Sequence, residues 1–332
     1  MKRKKIMYAL PVMGMAIFMG WLAVPAAFSE EYPTRPITII CWSSPGAPND
    51  LLARQIAKVG EKYFGQRMDV LTKKGGSGAV AMAYLLKQKK EGYALSTTTI
   101  SQIVAIAAGH IPFKTSDFSY IMRIQSDPYL IAVRSESPFK NLTEFFDYAK
   151  KNPGKISVSG FGTASAHFLS FMRLKTRAGN PDIRWVAYEG GADAAVACLG
   201  GHTDAVNTNY SVVGEYAKAG KMRILGASSE KRLSFIPDVP TYMEQGYKLA
   251  PDHWRGLMGP AGIPAGVVKK IRGFMEKTVA DPEFKKFMAN AGAEYGLMGS
   301  PEEFQKWVEG EVTESHELLK QQNLLGKPKK KK

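Results

Sequence analysis

Two polar loops carry the residues of this sequence whose types and spacing could do chemistry. Residues 43–50 read Ser-Ser-Pro-Gly-Ala-Pro-Asn-Asp, and residues 159–165 read Ser-Gly-Phe-Gly-Thr-Ala-Ser. Hydroxyl groups donate hydrogen bonds to carboxylate oxygens, and glycines let backbone amides approach a ligand closely. Each charge-assisted bond contributes roughly 1.5–3 kcal/mol, so about four or five of them would hold a small anion with micromolar affinity, about −8 kcal/mol. The loops therefore predict an anion-binding site.

Patterns that would support catalysis or a metal site are weaker. The five histidines are scattered, and no two of them have metal-ligand spacing. Residues 160–165 resemble a dinucleotide-binding fingerprint only loosely, because Ser165 replaces its last glycine. The two cysteines, Cys41 and Cys198, are too few for a disulfide scaffold and are predicted to be buried free thiols. We therefore predict no catalytic residue, no metal and no cofactor.

Each polar loop lies between a predicted strand and a predicted helix. Residues 37–42 form an apolar, β-branched run, and apolar residues after residue 50 recur at helical spacing, with Asn49 or Asp50 as the N-cap. The unit repeats at residues 156–159, which precede the second loop and another predicted helix. Alternating strands and helices predict α/β domains with largely parallel sheets, which bind ligands at the carboxyl ends of their strands. Helix N-termini at that edge supply unpaired amides for an anion.

The two ends of the chain carry much of its charge. Residues 1–29 combine a basic start, an apolar run and small residues, which is the layout of a secretory signal peptide. Five more lysines lie in the tail at 327–332, which is predicted to be disordered. Without both ends the formal charge falls from +15 to +6, and the remainder shows no basic stripe with interleaved aromatic residues. The pattern predicts an exported protein with no nucleic-acid partner.

Short motifs occur together along the chain in a specific order. They are Tyr-Pro-Thr-Arg-Pro-Ile at 32–37, Pro-Gly at 45–46, Gly-Gly-Ser-Gly at 75–78, Glu-Gly-Tyr at 91–93, Tyr188 with Gly190, Gly-Gly at 200–201 with Asp204, Pro-Asp-Val-Pro-Thr at 237–241, Trp254 with Gly256, and Pro-Ala-Gly at 260–262 with Pro264. In this order and spacing they resemble the periplasmic substrate-binding receptors of tripartite tricarboxylate transporters, also called the Bug family. The resemblance covers residues 32–304, nearly the whole predicted mature chain.

The resemblance implies an α/β protein with a two-lobed periplasmic-binding-protein fold, the type II Venus flytrap, with a mixed, mainly parallel sheet in each lobe. Lobe 1 would comprise residues 32–127 and 253–326, and lobe 2 residues 128–252. About 300 residues after the signal peptide are enough for two domains of ordinary size. Such a receptor would capture a small organic carboxylate and present it to the membrane permease subunits of the transporter. A monomer is the expected state.

The resemblance also implies which residues hold the ligand. Members of the family hold carboxylate groups through main-chain amides and hydroxyls of the two loops, with a third contact near residue 190. His167 follows the second loop closely and could face the same cleft. The predicted ligand-binding residues are Trp42, Ser43, Ser44, Gly46, Ala47, Asn49, Asp50, Ser159, Gly160, Gly162, Thr163, Ser165, His167, Tyr188, Gly190, Gly191, Ala192 and Asn209.

Two departures from the family pattern bear on the identity of the ligand. Residues 42–44 read Trp-Ser-Ser where Phe-Pro-Pro is usual, which supplies more hydroxyls and a broader aromatic wall. With Phe161 and Tyr188, Trp42 makes an aromatic carboxylate one option. Glu189 stands where a lysine is common. If Glu189 lines the cleft, it would repel a second carboxylate and favour a ligand with a neutral or cationic end.

Two alternative functions stay open at the level of the sequence. The chain could be a sensor subunit that delivers its ligand-bound form to a signalling partner, which would use the same binding site. It could also be a secreted hydrolase that uses His167 with Ser165 or Asp50, which requires those side chains to be hydrogen-bonded to each other.

Overall fold

The structure, a computed structural model, describes residues 31–295 and 299–326. The predicted signal peptide at 1–29 and the predicted disordered tail at 327–332 lie outside the described residues. Within the part that is described, no helix is both long enough and apolar enough to cross a membrane.

Strands and helices alternate through most of the described chain, as predicted. The strands are β1 (Ile37–Cys41), β2 (Met68–Thr72), β3 (Ala94–Thr99), β4 (Phe118–Ser126), β5 (Tyr129–Arg134), β6 (Ile156–Phe161), β7 (Ile183–Tyr188), β8 (Ala205–Asn209), β9 (Met222–Ala227), β10 (Arg255–Pro260) and β11 (Glu294–Tyr295). The α-helices are α1 (Pro48–Phe64), α2 (Ala79–Leu86), α3 (Ile100–Ala107), α4 (Leu142–Lys151), α5 (Ala166–Arg177), α6 (Gly191–Leu199), α7 (Tyr210–Lys218), α8 (Ala265–Ala280), α9 (Pro282–Asn290) and α10 (Pro301–Gln321).

Six strands form the first sheet, in the order β11-β4-β10-β3-β1-β2. β1 pairs in parallel with β2 and β3, whereas β10 is antiparallel to β3 and β4, and β11 is antiparallel to β4. Strands β1 to β4 therefore point in one direction, and β10 and β11 point in the other. We call this sheet and the helices packed on it lobe 1.

Five strands form the second sheet, in the order β7-β6-β8-β5-β9. β6 is parallel to β7 and β8, and β5 is antiparallel to β8 and β9, so only β5 is reversed. The order repeats that of lobe 1, where the reversed strand β10 likewise separates the third strand from the fourth. We call this sheet and its helices lobe 2. Two mixed, mainly parallel sheets confirm the predicted fold class, and the predicted residue boundaries of the lobes stay a prediction.

The first helix begins earlier than predicted. α1 starts at Pro48, which suits the first helical position because that position needs no amide donor, and its N-cap is Ala47. The prediction of Asn49 or Asp50 as N-cap was wrong. The physical reason is that the Asp50 carboxylate turns back to the Gly46 amide at 2.9 Å, outside the helix.

Two short connections join the lobes and run side by side. Only Asp127 and Pro128 separate β4 from β5. The return to lobe 1 passes through Asp252 and His253 shortly before β10. Pro128 and Asp252 form an antiparallel bridge, and the Asp127 amide donates to Asp252 Oδ1 at 2.8 Å. We call these two connections, residues 127–128 and 251–254, the crossover.

Apolar packing continues from one lobe to the other. Ile103 and Val104 of α3 belong to the same buried cluster as Leu169 of α5. A second cluster fills the space between the lobe 1 sheet and α1, α8 and α9, and a third lies within lobe 2. Cys41 and Cys198 are buried free thiols, which confirms the prediction for both. The core therefore holds together by packing and supports the crossover from both sides.

Candidate functional site

The carboxyl ends of the parallel strands in both lobes border the crossover. Tyr129, the first residue of β5, pairs with Asn209, the last residue of β8. Arg255, the first residue of β10, pairs with Thr99, the last residue of β3. The first predicted loop follows β1, and the second begins inside β6, because this strand continues to Phe161 and includes the first three residues that were predicted as loop. β1 and β6 are the neighbours of β3 and β8. We call this region, formed by the crossover and the carboxyl ends of β1, β3, β6, β7 and β8, the cleft edge.

The first loop is held in shape by its own side chains. Asp50 Oδ2 accepts hydrogen bonds from the Gly46 amide at 2.9 Å and from Arg54 Nε at 2.8 Å. Burial raises the pKa of the Asp50 carboxyl, but these two bonds outweigh it and the net shift is downward. Asn49 Nδ2 donates to Thr97 Oγ1 at 3.0 Å and ties the start of α1 to β3. Asp50 and Asn49 therefore fix the loop.

The rest of the first loop is more open to solvent. Ser44 and Gly46 are exposed, and Trp42, Ser43 and Ala47 are half-buried. The Ala47 amide donates to the Ser44 carbonyl at 3.1 Å, so the amides of Gly46 and Ala47 are both engaged within the loop. Trp42 Nε1 has no protein partner, and α1 has no side-chain cap. A ligand at this loop would therefore meet hydroxyls and an indole N–H.

The second loop has a buried start and a capped end. Ser159 is fully buried, and its hydroxyl donates to the Ala194 carbonyl at 2.9 Å. Ser165 is the N-cap of α5, because its Oγ accepts from the Phe168 amide at 3.1 Å, and it also donates to the Phe161 carbonyl. Both hydroxyls are thus occupied by the backbone of lobe 2.

The middle of the second loop depends on two glycines. A Cβ on Gly160 would lie 2.1 Å from the Trp185 ring, so only glycine fits at this position of β6. Gly162 adopts a φ of 64°, and its amide donates to the Tyr188 carbonyl at 2.8 Å while its own carbonyl accepts from Trp185 Nε1 at 3.0 Å. Thr163 is exposed at the tip of the loop. Thr163 is therefore the hydroxyl of this loop that is most open to a ligand.

The third predicted contact is the start of α6. Gly190 is the N-cap of this helix, and no side chain caps it, so the amides of its first turn, from Gly191 onward, are available as donors. A Cβ on Gly191 would lie 3.1 Å from Thr208 Oγ1, so the glycine leaves room for that hydroxyl. Ala192 and Glu189 are exposed beside it. The helix start thus combines free amides with a neighbouring hydroxyl.

His167 and Asn209 connect the second loop to the crossover. His167 Nε2 lies 2.9 Å from Asn209 Oδ1, and Asn209 Nδ2 donates to the carbonyls of Asp127 at 2.8 Å and Pro128 at 3.2 Å. Because carbonyl oxygens only accept, the amide nitrogen of Asn209 must face the crossover and Oδ1 must face His167. Burial lowers the pKa of His167 to about 4, against the opposing effect of this hydrogen bond. The imidazole is therefore neutral at neutral pH.

Charged residues at the crossover are paired with each other. Arg255 Nη1 lies 3.2 Å from Asp127 Oδ2, and both side chains are only 6% exposed. Arg123 Nη1 lies 3.4 Å from Asp252 Oδ2. Burial raises the pKa of Asp127, which Arg255 partly opposes, and burial raises the pKa of Asp252 to about 6. These ion pairs hold the two connections together.

Within the described ranges 31–295 and 299–326, the cleft edge concentrates buried polar atoms that have no hydrogen-bond partner. Such atoms are rare in native proteins, because each costs free energy unless water or a ligand satisfies it. They come from lobe 1, from lobe 2 and from the crossover. At or beside this edge they are Trp42 Nε1, Asn49 Oδ1, Asp50 Oδ1, Thr98 Oγ1, Gln102 Nε2, Gln125 Oε1, Asp127 Oδ1, His167 Nδ1, Thr208 Oγ1, Trp254 Nε1 and Arg255 Nε.

Several of these residues are absent from the predicted set. Thr98, Gln102 and Thr208 carry unpartnered polar atoms at the ends of β3 and β8 or at the start of α3. One sequence signal points to the first two, because the polar run Ser-Thr-Thr-Thr at 96–99 ends a strand directly before a helix. Thr208 has the same kind of signal, because the polar run Asn-Thr-Asn at 207–209 ends a strand directly before a helix.

The side chains considered for a hydrolase bond to other groups. His167 Nε2 bonds to Asn209, and His167 Nδ1 has no protein partner. Ser165 Oγ bonds to backbone groups at both ends of its own loop. Asp50 Oδ2 is occupied by Gly46 and Arg54. The nucleophile–base hydrogen bond that this chemistry uses is therefore not formed between these residues.

Known proteins resemble this chain over nearly its whole length. Residues 52–324 match the family described as the tripartite tricarboxylate transporter family receptor. A protein from the gbd 5′ region of Cupriavidus necator is 27% identical over 308 residues, which cover 90% of this chain and 92% of that protein. The structure of a TctC solute-binding protein from Polaromonas, without ligand, has a TM-score of 0.80 and 27% identity, and the match covers 87% of this chain and 99% of that one.

Two structures from Rhodopseudomonas palustris share the fold. MatC with bound malate has a TM-score of 0.69 and 22% identity, over 87% of this chain and 100% of that one. A second protein, solved with adipate, has a TM-score of 0.70 and 24% identity, over 87% of this chain and 97% of that one. Because the family match spans far more than half of the sequence, this chain belongs to the receptor family of tripartite tricarboxylate transporters, the Bug family, whose members are solute-binding proteins.

Proposed function

We propose that this chain is a periplasmic receptor that captures a small organic carboxylate at the cleft edge and presents it to the permease subunits of a tripartite tricarboxylate-type transporter. The observation that carries the proposal is the concentration of unpartnered polar atoms where both lobes and the crossover meet. Malate and adipate, the ligands of the two R. palustris proteins, support carboxylates as the ligand class.

The chemistry of the cleft edge suits a carboxylate. Gln102 Nε2 and Trp42 Nε1 are donors without partners, and the hydroxyls of Thr98 and Thr208 can donate as well. The uncapped start of α6 adds backbone amides and the positive end of a helix dipole. Arg255 is paired with Asp127 through Nη1 and its Nε has no partner, so the ligand charge would be met mainly by neutral donors and by one N–H of Arg255.

Aromatic carboxylates are included in the proposed class of ligands. Phe161 is 39% exposed at the end of β6, and Trp42 and Tyr188 are half-buried at the ends of β1 and β7. These side chains offer flat apolar surface beside the polar groups. Replacement of Trp42 by leucine would lower the affinity for aromatic acids more than for aliphatic acids, which a comparison of benzoate-type and succinate-type ligands would show.

Titration of the purified protein with organic acids tests the proposal. A panel of aliphatic, aromatic, dicarboxylic and tricarboxylic acids would be screened by thermal shift and followed by calorimetry. A ligand that binds only the native state stabilises it by about 2.7 kcal/mol at a concentration of 100 Kd, and about 1 kcal/mol raises Tm by roughly 2–4 °C in a protein of this size class. We expect at least one acid to raise Tm by roughly 5 °C or more.

A matched pair of variants locates the binding site. Thr98→Val removes an unpartnered hydroxyl from the cleft edge, and we expect about tenfold weaker binding, since tenfold corresponds to about 1.4 kcal/mol. Thr278→Val makes the same change at a buried hydroxyl that donates to the Phe274 carbonyl within α8, and it should leave the Kd unchanged. A panel without any stabilising acid, or equal Kd values for the two variants, would contradict the proposal.

A further inference from the structure

The ring of His167 presents a buried acceptor atom that has no partner in the part of the chain that the structure describes. Asn209 Oδ1 can only accept, so the proton of the neutral imidazole lies on Nε2, which donates to it at 2.9 Å. Nδ1 of the same ring then carries a bare lone pair. This atom is buried and has no partner, and the whole side chain of His167 is only 9% exposed. A buried acceptor without a donor costs roughly 1–3 kcal/mol.

The ring of His167 lies next to the second predicted loop. His167 is the second residue of α5, and helical side chains lean toward the N-terminus of their helix, here toward the loop that ends at Ser165. Its ring lies 5.9 Å from that of Phe161, whose side chain is partly exposed at the cleft edge. The ring that carries the acceptor therefore lies beside a side chain of the cleft edge.

The other groups around the ring supply no donor to Nδ1. The rings of Tyr129 and His253 lie 5.1 Å and 5.3 Å from that of His167. The Tyr129 hydroxyl is 3.2 Å from His253 Nδ1, so these two groups satisfy each other. Arg255, the nearby cation, is paired with Asp127 through Nη1, and its Nε, which also lacks a partner, does not bond to His167 Nδ1. Among the described residues no group donates to His167 Nδ1.

We propose that His167 is a specificity-determining residue whose Nδ1 accepts a hydrogen bond from a hydroxyl or ammonium group on the ligand. The receptor would then prefer a hydroxy- or amino-substituted carboxylate over the same acid without that substituent. This inference rests on the proposed function, and it assigns the carboxylate to the neutral donors of the cleft edge and the donor group of the ligand to His167. A site built to bond a ligand hydroxyl rejects the analogue that lacks it, because the site then keeps an unpaired buried atom.

Matched pairs of acids test this preference by calorimetry. The two acids of each pair differ by one hydroxyl or ammonium group. The pairs are malate and succinate, aspartate and succinate, and mandelate and phenylacetate. We expect the substituted acid of the pair that fits the cleft to bind at least about tenfold more tightly, which corresponds to about 1.4 kcal/mol. Equal affinities within every pair that binds would overturn the inference and leave the proposed function standing, with water as the partner of Nδ1. Failure of every acid to bind would overturn the proposed function itself.

Two glutamine variants assign the preference to the residue. His167→Gln keeps an amide near the position of Nε2 that can donate to Asn209, but it removes the Nδ1 acceptor, and we expect the preference to fall to about two- to threefold. His316→Gln makes the same change at a histidine whose Nδ1 contacts the Ala107 carbonyl at 2.9 Å, and it should keep the wild-type preference. An undiminished preference in His167→Gln would overturn the inference.

A spectroscopic measurement gives an answer even if the variant does not fold. Nitrogen NMR of the wild-type histidines distinguishes a bare ring nitrogen from one that accepts a hydrogen bond. The Nδ1 signal of His167 should move upfield when the substituted acid binds and should not move with its unsubstituted partner. An identical response to both acids would overturn the inference.

Discussion

The two predicted ligand-binding loops, residues 43–50 and 159–165, are both rich in serine and glycine, but they are anchored differently in the structure. The loop of lobe 1 is closed on itself, because Asp50 holds the Gly46 amide and the Arg54 side chain of the following helix. The loop of lobe 2 is capped by Ser165 and continues through His167 and Asn209 into the backbone of the crossover.

The two loops therefore differ in the parts of the protein to which their hydrogen bonds connect them. The side-chain hydrogen bonds of the first loop stay within lobe 1, whereas those of the second loop reach the carbonyls of Asp127 and Pro128 in the crossover. A ligand shifts a conformational equilibrium by its differential contacts with the two states. We therefore expect a ligand contact at the second loop to affect the angle between the lobes more than a contact at the first loop. Four predictions test this comparison.

The largest effect is expected for Asn209→Ala. The change leaves His167 Nε2 and the carbonyls of Asp127 and Pro128 without their partner, and each unsatisfied buried group costs roughly 1–3 kcal/mol. We expect the free energy of unfolding in urea to fall by about 2–4 kcal/mol. A loss below about 1 kcal/mol would mean that the second loop is not anchored through this side chain.

The dependence of stability on pH is the second test. The pKa of His167 is lowered to about 4 in the folded protein, from an ordinary value near 6.5, so the unfolded state binds more protons between these values. Its contribution to stability is fully present above about pH 6.5 and is lost as the pH falls toward 4. His167→Gln should flatten this part of the curve by up to about 1.4 kcal/mol per pH unit.

Asp252 acts in the opposite direction over part of this range. Burial raises its pKa to about 6, so the folded protein binds the extra proton between the ordinary carboxyl range and pH 6. Comparison of His167→Gln with the wild type cancels this contribution, because both proteins contain Asp252. Identical slopes of unfolding free energy against pH in the two proteins would contradict the assignment to His167.

A smaller and more local effect is expected for Asp50→Asn. The variant keeps an oxygen for the Gly46 amide but loses the charge-assisted bond from Arg54, and bonds to charged groups contribute roughly 1.5–3 kcal/mol. Because Arg54 is about half exposed, we expect a loss of about 1 kcal/mol. Hydrogen exchange should increase in residues 43–54 and not at the crossover. Faster exchange at the crossover would contradict the separation of the two loops.

The smallest effect is expected for Ser165→Ala. Loss of an N-cap typically costs about 1 kcal/mol and can cost as little as about 0.5 kcal/mol, and we expect a loss in this range. Ser165→Asp keeps an acceptor for that amide and should be closer to the wild type in urea unfolding. Equal stability of the alanine and aspartate variants would show that the cap does not anchor this loop.

The sequence predicts the parts of this fold that depend on short-range patterns. Hydrophobic periodicity indicates most strands and helices, and the sequence Ser-Pro-Glu-Glu at 300–303 indicates the capping box that Ser300 and Glu303 form at the start of α10. The N-cap of α1 was wrong because Asn49 and Asp50 are good caps in isolation, but their side chains bond to Thr97 and Gly46 instead. The ligand-contact role of the predicted residues stays a prediction.

The sequence by itself determined the family, the alternation of strands and helices, and the two loops near Ser43 and Ser159, because these follow from local residue types and their order. Only the tertiary structure decided that Thr98, Gln102 and Thr208 share an edge with those loops. It also decided that His167 keeps one ring nitrogen free, since its partner Asn209 is 42 residues away along the chain. Contacts at such separations depend on how the two lobes pack around the crossover, and no local pattern encodes that packing.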